Sequence, residues 1–128
     1  MSEIAFLVGR ILFGGYFFVS GMNHFLQRGL LTDYAASKGV PMPGFMVPFS
    51  GLFIILGGFG VVLGVQIPLA LALIILFLVP VTFKMHAFWN ISDPQARMGE
   101  MVNFMKNTAL IGATLMLYFV CTAWQSFY

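Results

Sequence analysis

The sequence predicts an all-α integral membrane protein, a four-helix bundle forming one four-span domain over residues 1–128, and three observations carry that reading. The first is composition. Hydrophobic residues make up 60% of the chain and charged residues only 8%, with a mean hydropathy of +0.96, well outside the usage of soluble domains. The second is segment length: four apolar stretches, about 4–26, 44–65, 67–89 and 102–124, each approach the roughly 20 residues that a helix needs to cross a bilayer. The third is their texture. The runs are continuously apolar, which excludes the short alternating strands of a membrane barrel.

The first stretch follows Ser2-Glu3 instead of a basic leader and is too long for a signal-peptide core, so it is read as a retained helix. It carries Arg10 about two turns in, which would cost about 2.5–3.5 kcal/mol at mid-membrane and is expected to snorkel toward the amino-terminal side, with Glu3 as its partner. Its second half ends in Ser20-Gly21-Met22-Asn23-His24, where Tyr16, Ser20, Asn23 and His24 share a polar face. Gly14 and Gly21 offer small-residue contacts to a neighbouring helix.

Residues 27–43 form the first long connection. Thr32 is expected to cap a short turn over 33–38 that Gly39 ends, and Pro41, Pro43 and Pro48 shape re-entry into the membrane. The second apolar stretch holds Gly57-Gly58-Phe59-Gly60 and Gly64. Gly57, together with the G-x-x-x-G pair Gly60 and Gly64, suits close packing of helix backbones. Val65-Gln66-Ile67-Pro68 is short enough to force the second and third helices into antiparallel contact.

The third stretch ends in Lys84-Met85-His86-Ala87-Phe88-Trp89-Asn90, four residues beyond the helix-kinking Pro80. On a continuous helix Thr82, His86 and Trp89 lie at i, i+4 and i+7 and form one polar stripe. Interfacial anchoring accounts for Lys84 and Trp89 as well as binding does, whereas an ionisable His86 near membrane depth points to a polar cavity. Ser92 or Asp93 caps a helix with Pro94 in its first turn, and the fourth stretch opens on Asn103, Lys106 and Asn107. Tyr118, Trp124 and Tyr128 suit an aromatic belt.

In an antiparallel four-helix arrangement, the end of the first helix, the end of the third and the start of the fourth meet on one side. That side gathers the candidate ligand-binding residues Asn23, His24, His86, Trp89, Lys106 and Asn107 at one mouth. A histidine and a lysine beside an aromatic, apolar gap can hydrogen-bond the carbonyls of a quinone or hold a small anion such as an oxidised sulfur species. No catalytic residue is assigned. Metal-ligand spacings are missing, so no metal is expected. Cys121 is the single cysteine, which leaves no thiol pair for electron transfer, and without a basic run no nucleic-acid partner is expected. Arg28, Lys38, Lys84, Arg97 and Lys106 fall on the crowded side against Arg10 on the other, which places the charged loops in the cytoplasm by the positive-inside rule.

The chain resembles the DoxX family of small four-span membrane proteins, which includes the DoxD-like subunits of thiosulfate:quinone oxidoreductases. The resemblance lies in Gly9-Arg10-Ile11-Leu12-Phe13-Gly14 leading to Ser20-Gly21-Met22-Asn23-His24, in Gly39-Val40-Pro41, in Leu56-Gly57-Gly58 with Gly64, in His86-Ala87-Phe88-Trp89 and in Phe104-Met105-Lys106-Asn107. The family often carries a glutamate three residues before the Gly-Gly of the second helix; here Ile54 stands there. The resemblance implies a bacterial inner-membrane protein tied to redox systems through other membrane subunits or copies of itself. The function expected is an accessory or structural subunit, not an enzyme on its own, with a quinone or small-ligand site at the mouth. The alternatives are a catalytic subunit of the thiosulfate:quinone type, in which His86 and Lys106 orient substrate, and a small transporter.

Overall fold

A computed structural model describes residues 2–120, and among them the chain is helical without strands. Five α-helices follow in order, α1 Ser2–Leu26, α2 Arg28–Ser37, α3 Pro43–Leu63, α4 Ile67–Met85 and α5 Pro94–Phe119, with a 3₁₀ turn at Phe88–Asn90 between the last two. Three segments, Ser2–Leu26, Pro43–Leu63 and Ile67–Asn90, are long and apolar enough to cross a membrane. The count of five differs from the four read in sequence because the first connection is itself a helix. Helix α2 starts at Arg28, directly after α1, so Thr32 lies inside it and caps nothing. Cys121, Trp124 and Tyr128 lie outside the described residues.

Helix α1 packs on α3, α3 on α4, and α4 on α5, while α2 lies against α3. Phe17, Ile54, Val61, Leu71, Ile74 and Leu78 are buried at the shared centre. Ile54, where the family often has a carboxylate, is fully enclosed in this apolar core. Outward, large side chains such as Leu12, Val19, Leu56, Phe59, Leu69 and Met116 are about half exposed or more. Apolar faces this continuous need lipid as their solvent.

The α1–α3 seam is a backbone-to-backbone contact. A Cβ built on Gly14 would stand 2.6 Å from Gly58 O, and one on Gly21 would stand 2.7 Å from Gly51 O. Gly51 and Gly58 are therefore the counterparts of the two α1 glycines, and neither pairing is visible in sequence. On the other side of α3, Gly57 faces Ala70 O and Ile74 of α4, and Gly60 faces the Ala70 methyl. Gly64 has a further task beyond the G-x-x-x-G spacing. It ends α3 in the left-handed region at φ 73°, and Val65 N donates to Gly60 O over 2.9 Å across that stop.

Two arginines donate to carbonyls near the two ends of α3. Pro48 inside α3 has no N–H for Gly44 O, and Arg28 Nη2 donates to that oxygen at 2.9 Å. At the far end, Arg10 Nε and Nη2 donate to Val61 O (3.2 Å) and Val62 O (2.9 Å) in the last turn, so its charge sits at the negative end of the helix. Helix α5 starts as the sequence suggests, with Asp93 accepting from Ala96 N at 2.9 Å and Pro94 in the first turn. Asp93→Ala is expected to cost about 1 kcal/mol in detergent unfolding, against a few tenths for Asp93→Gly.

Candidate functional site

The main packing runs in succession from α1 to α3, α4 and α5, and a cavity of about 820 Å³ opens between α1, α3, α4 and α5 with α2 across one end. Its walls are mostly apolar and aromatic, with Phe17, Phe49, Phe53 and Phe77 among them, and its volume falls within the range of small-molecule sites. Polar groups enter from one side only: Tyr16, Ser20 and His24 from α1, Ser50 from α3, Lys84 and His86 from the end of α4, Lys106 and Asn107 from α5, and Tyr34 from α2.

Of the residues selected from sequence, His24, His86, Lys106 and Asn107 line this cavity, whereas Asn23 and Trp89 do not. Asn23 is one helical step from His24 and lines a shallow groove on the outer face of α1. Trp89 is lost to the expected stripe because α4 stops at Met85. His86 takes φ −115° and ψ 36°, breaking the helical register, and the exposed Trp89 packs edge-to-face on the half-buried Phe88 and Phe104. Thr82, the third member of that stripe, is fully buried and donates to Leu78 O of its own helix at 2.5 Å.

His24 is oriented from α3. Its Nδ1 lies 2.9 Å from Val47 O and 3.3 Å from Ser50 Oγ, and Ser50 Oγ also donates to Val47 O at 3.0 Å. A carbonyl oxygen only accepts, so Nδ1 must carry the proton and donate. The imidazole edge meets Phe77 with ring centroids 5.6 Å apart, and its Cβ rests on Gly51, whose lack of a side chain makes the room. Lys106 reaches back across the cavity, with its Nζ 5.8 Å from the centre of the Tyr16 ring.

At the α2 end stands a cluster centred on Glu100, a residue that the sequence reading did not select. Tyr34 of α2 donates its hydroxyl to Glu100 Oε1, Lys38 Nζ lies 3.6 Å from that oxygen, and His86 Nδ1 donates to Glu100 Oε2 at 2.6 Å. The Lys38, His86 and Glu100 side chains are only 22%, 13% and 14% exposed. Burial disfavours the carboxylate. The hydrogen bonds from Tyr34 and His86 and the charge of Lys38 outweigh it, and Glu100 is held below its usual range. The same contact, added to burial, pushes the Tyr34 phenol up. One signal was available in sequence: Glu100, Asn103 and Asn107 fall at i, i+3 and i+7 once α5 is known to begin at Pro94. The described residues bring together no group of three metal-ligating side chains.

Apolar outer faces around a helical core that encloses a one-sided polar cavity define a multi-pass membrane protein. A family model described as DoxX matches residues 5–87, and the chain belongs to the DoxX family. The matched stretch covers α1 to α4 and His86, whereas Glu100, Lys106 and Asn107 lie beyond it. No curated protein and no solved structure matches the chain.

Proposed function

We propose that this chain is an accessory subunit of a membrane redox complex in the bacterial inner membrane, with a fourth span that begins at about residue 102 within α5 and a site for a quinone or another small ligand in its cavity. The observation that carries the reading is the cavity itself. It has aromatic walls, polar groups at one mouth and a volume of about 820 Å³, the design of a site for an apolar molecule with a polar head. The redox setting comes from the family resemblance. The accessory role accords with the glycine-lined seams that pack α1 on α3 and α3 on α4 beside the cavity. Arg28, Lys38 and Arg97, all on the side of the mouth, support a cytoplasmic mouth by the positive-inside rule.

The test is extraction of the full chain from its native membrane in mild detergent, followed by mass spectrometry of what accompanies it. A stoichiometric protein partner carrying flavin, iron–sulfur, haem or reactive-thiol chemistry is expected. Recovery of the chain with no partner, combined with substrate turnover by the chain alone, would overturn the accessory reading in favour of a catalytic one.

A further inference from the structure

Asn107 is only 5% exposed, lines the cavity, and makes no side-chain hydrogen bond among the described residues. The other two buried polar side chains, Thr82 and Thr114, return their hydroxyls to carbonyls of their own helices. A carboxamide has no such default, and left unpaired in an apolar wall it is expensive. His24 adds the complementary group. With Nδ1–H committed to Val47 O, the neutral ring leaves Nε2 as a hydrogen-bond acceptor, and that atom has no partner among the described residues. The wall therefore offers an acceptor from α1 and a combined donor and acceptor from α5.

Resting on the ligand-cavity reading, we infer that the cavity binds a phenol-type head, an aromatic ring bearing a hydroxyl, in preference to the same ring without that donor. The hydroxyl hydrogen goes to His24 Nε2, its oxygen accepts from the Asn107 amide, and the ring packs against Phe53 and Phe77. A bare carbonyl or an ether satisfies Asn107 but leaves His24 Nε2 facing a second acceptor. Alkylphenols and the dihydroxy state of a quinone share this head chemistry; the oxidised quinone does not.

The experiment uses the full chain in lipid nanodiscs with 4-hexylphenol and its methyl ether, which differ by the donor. Wild type is expected to bind the phenol about tenfold tighter than the ether, the worth of one buried hydrogen bond. His24→Phe should remove that preference, and the wild-type to variant ratio cancels partition into the bilayer. A second readout needs no variant: the ¹⁵N resonance of His24 Nε2 should move on adding the phenol and stay with the ether. Asn107→Leu should weaken both ligands while raising the melting temperature of the ligand-free protein. Equal binding of phenol and ether, a preference that survives His24→Phe, or a destabilised Asn107→Leu would overturn the head-group assignment and leave the cavity reading standing. Binding of neither probe, with no resonance shift, would overturn both.

Discussion

Replacing Glu100 by alanine is expected to release α2 from the mouth of the cavity and to lower stability by about 2–4 kcal/mol, because three donors lose one shared, mostly buried acceptor. Tyr34 and Lys38 belong to α2, His86 ends α4 and Glu100 lies on α5, so this carboxylate joins three elements distant in sequence. Hydrogen exchange should show the change first in the amides of Arg28–Ser37, whose helix has no side-chain cap of its own. The pH dependence has a definite sign. Glu100 is lowered on folding from its ordinary 4.5, so its stabilisation is complete above that value and lost as pH falls through the lower folded one. Tyr34 is raised from 10.0, so its stabilisation is complete below that value and lost as pH climbs beyond it. Glu100→Ala should flatten the acid limb of a melting profile; an unchanged acid limb would show that the cluster holds nothing together.

Gly58→Ala is the second large effect. The new methyl would run into Gly14 O and stand 2.6 Å from Phe18 N; both are backbone atoms that no rotamer change moves. Helices α1 and α3 must separate along their whole seam, opening the Gly21–Gly51 contact and shifting the Gly51 surface on which His24 rests. A loss of about 3 kcal/mol or more is expected, at the upper end of overpacking. Gly15 is the internal control. Nothing lies within 4 Å of a Cβ built there, so Gly15→Ala should be neutral or stabilising by up to about 1 kcal/mol through helix propensity. Equal melting temperatures for the two variants in the same detergent would contradict a backbone-contact seam.

The long helices were legible in sequence because an apolar run of spanning length admits few other structures, and Asp93-Pro94 marked the start of α5 by its cap chemistry. Helix α2 was not. It is amphipathic, begins without a capping side chain and is fixed by docking on α3 and by the Glu100 cluster, none of which leaves a local signature. The same limit applies to the site. His24, His86, Lys106 and Asn107 were selected by their polarity at one mouth, but what separates them from Trp89 and Asn23 is where α4 stops and which way α1 turns. Glu100 pairs with Tyr34 across 66 positions, a contact that only the tertiary arrangement creates. Gly60 and Gly64 share a motif, and the backbone at Gly64 also turns left-handed and ends the helix, a second role that spacing alone does not reveal.

The cavity is built to be filled, and native mass spectrometry of the intact chain, released from native-lipid nanodiscs, reads its occupancy. Wild type should carry a bound organic molecule at one per chain. Ser20→Phe, which places a ring into the cavity from α1 without removing a side-chain hydrogen bond among the described residues, should carry none while keeping its stability within about 1 kcal/mol of wild type. A ligand-free wild type, or the same bound mass on both chains, would contradict the account.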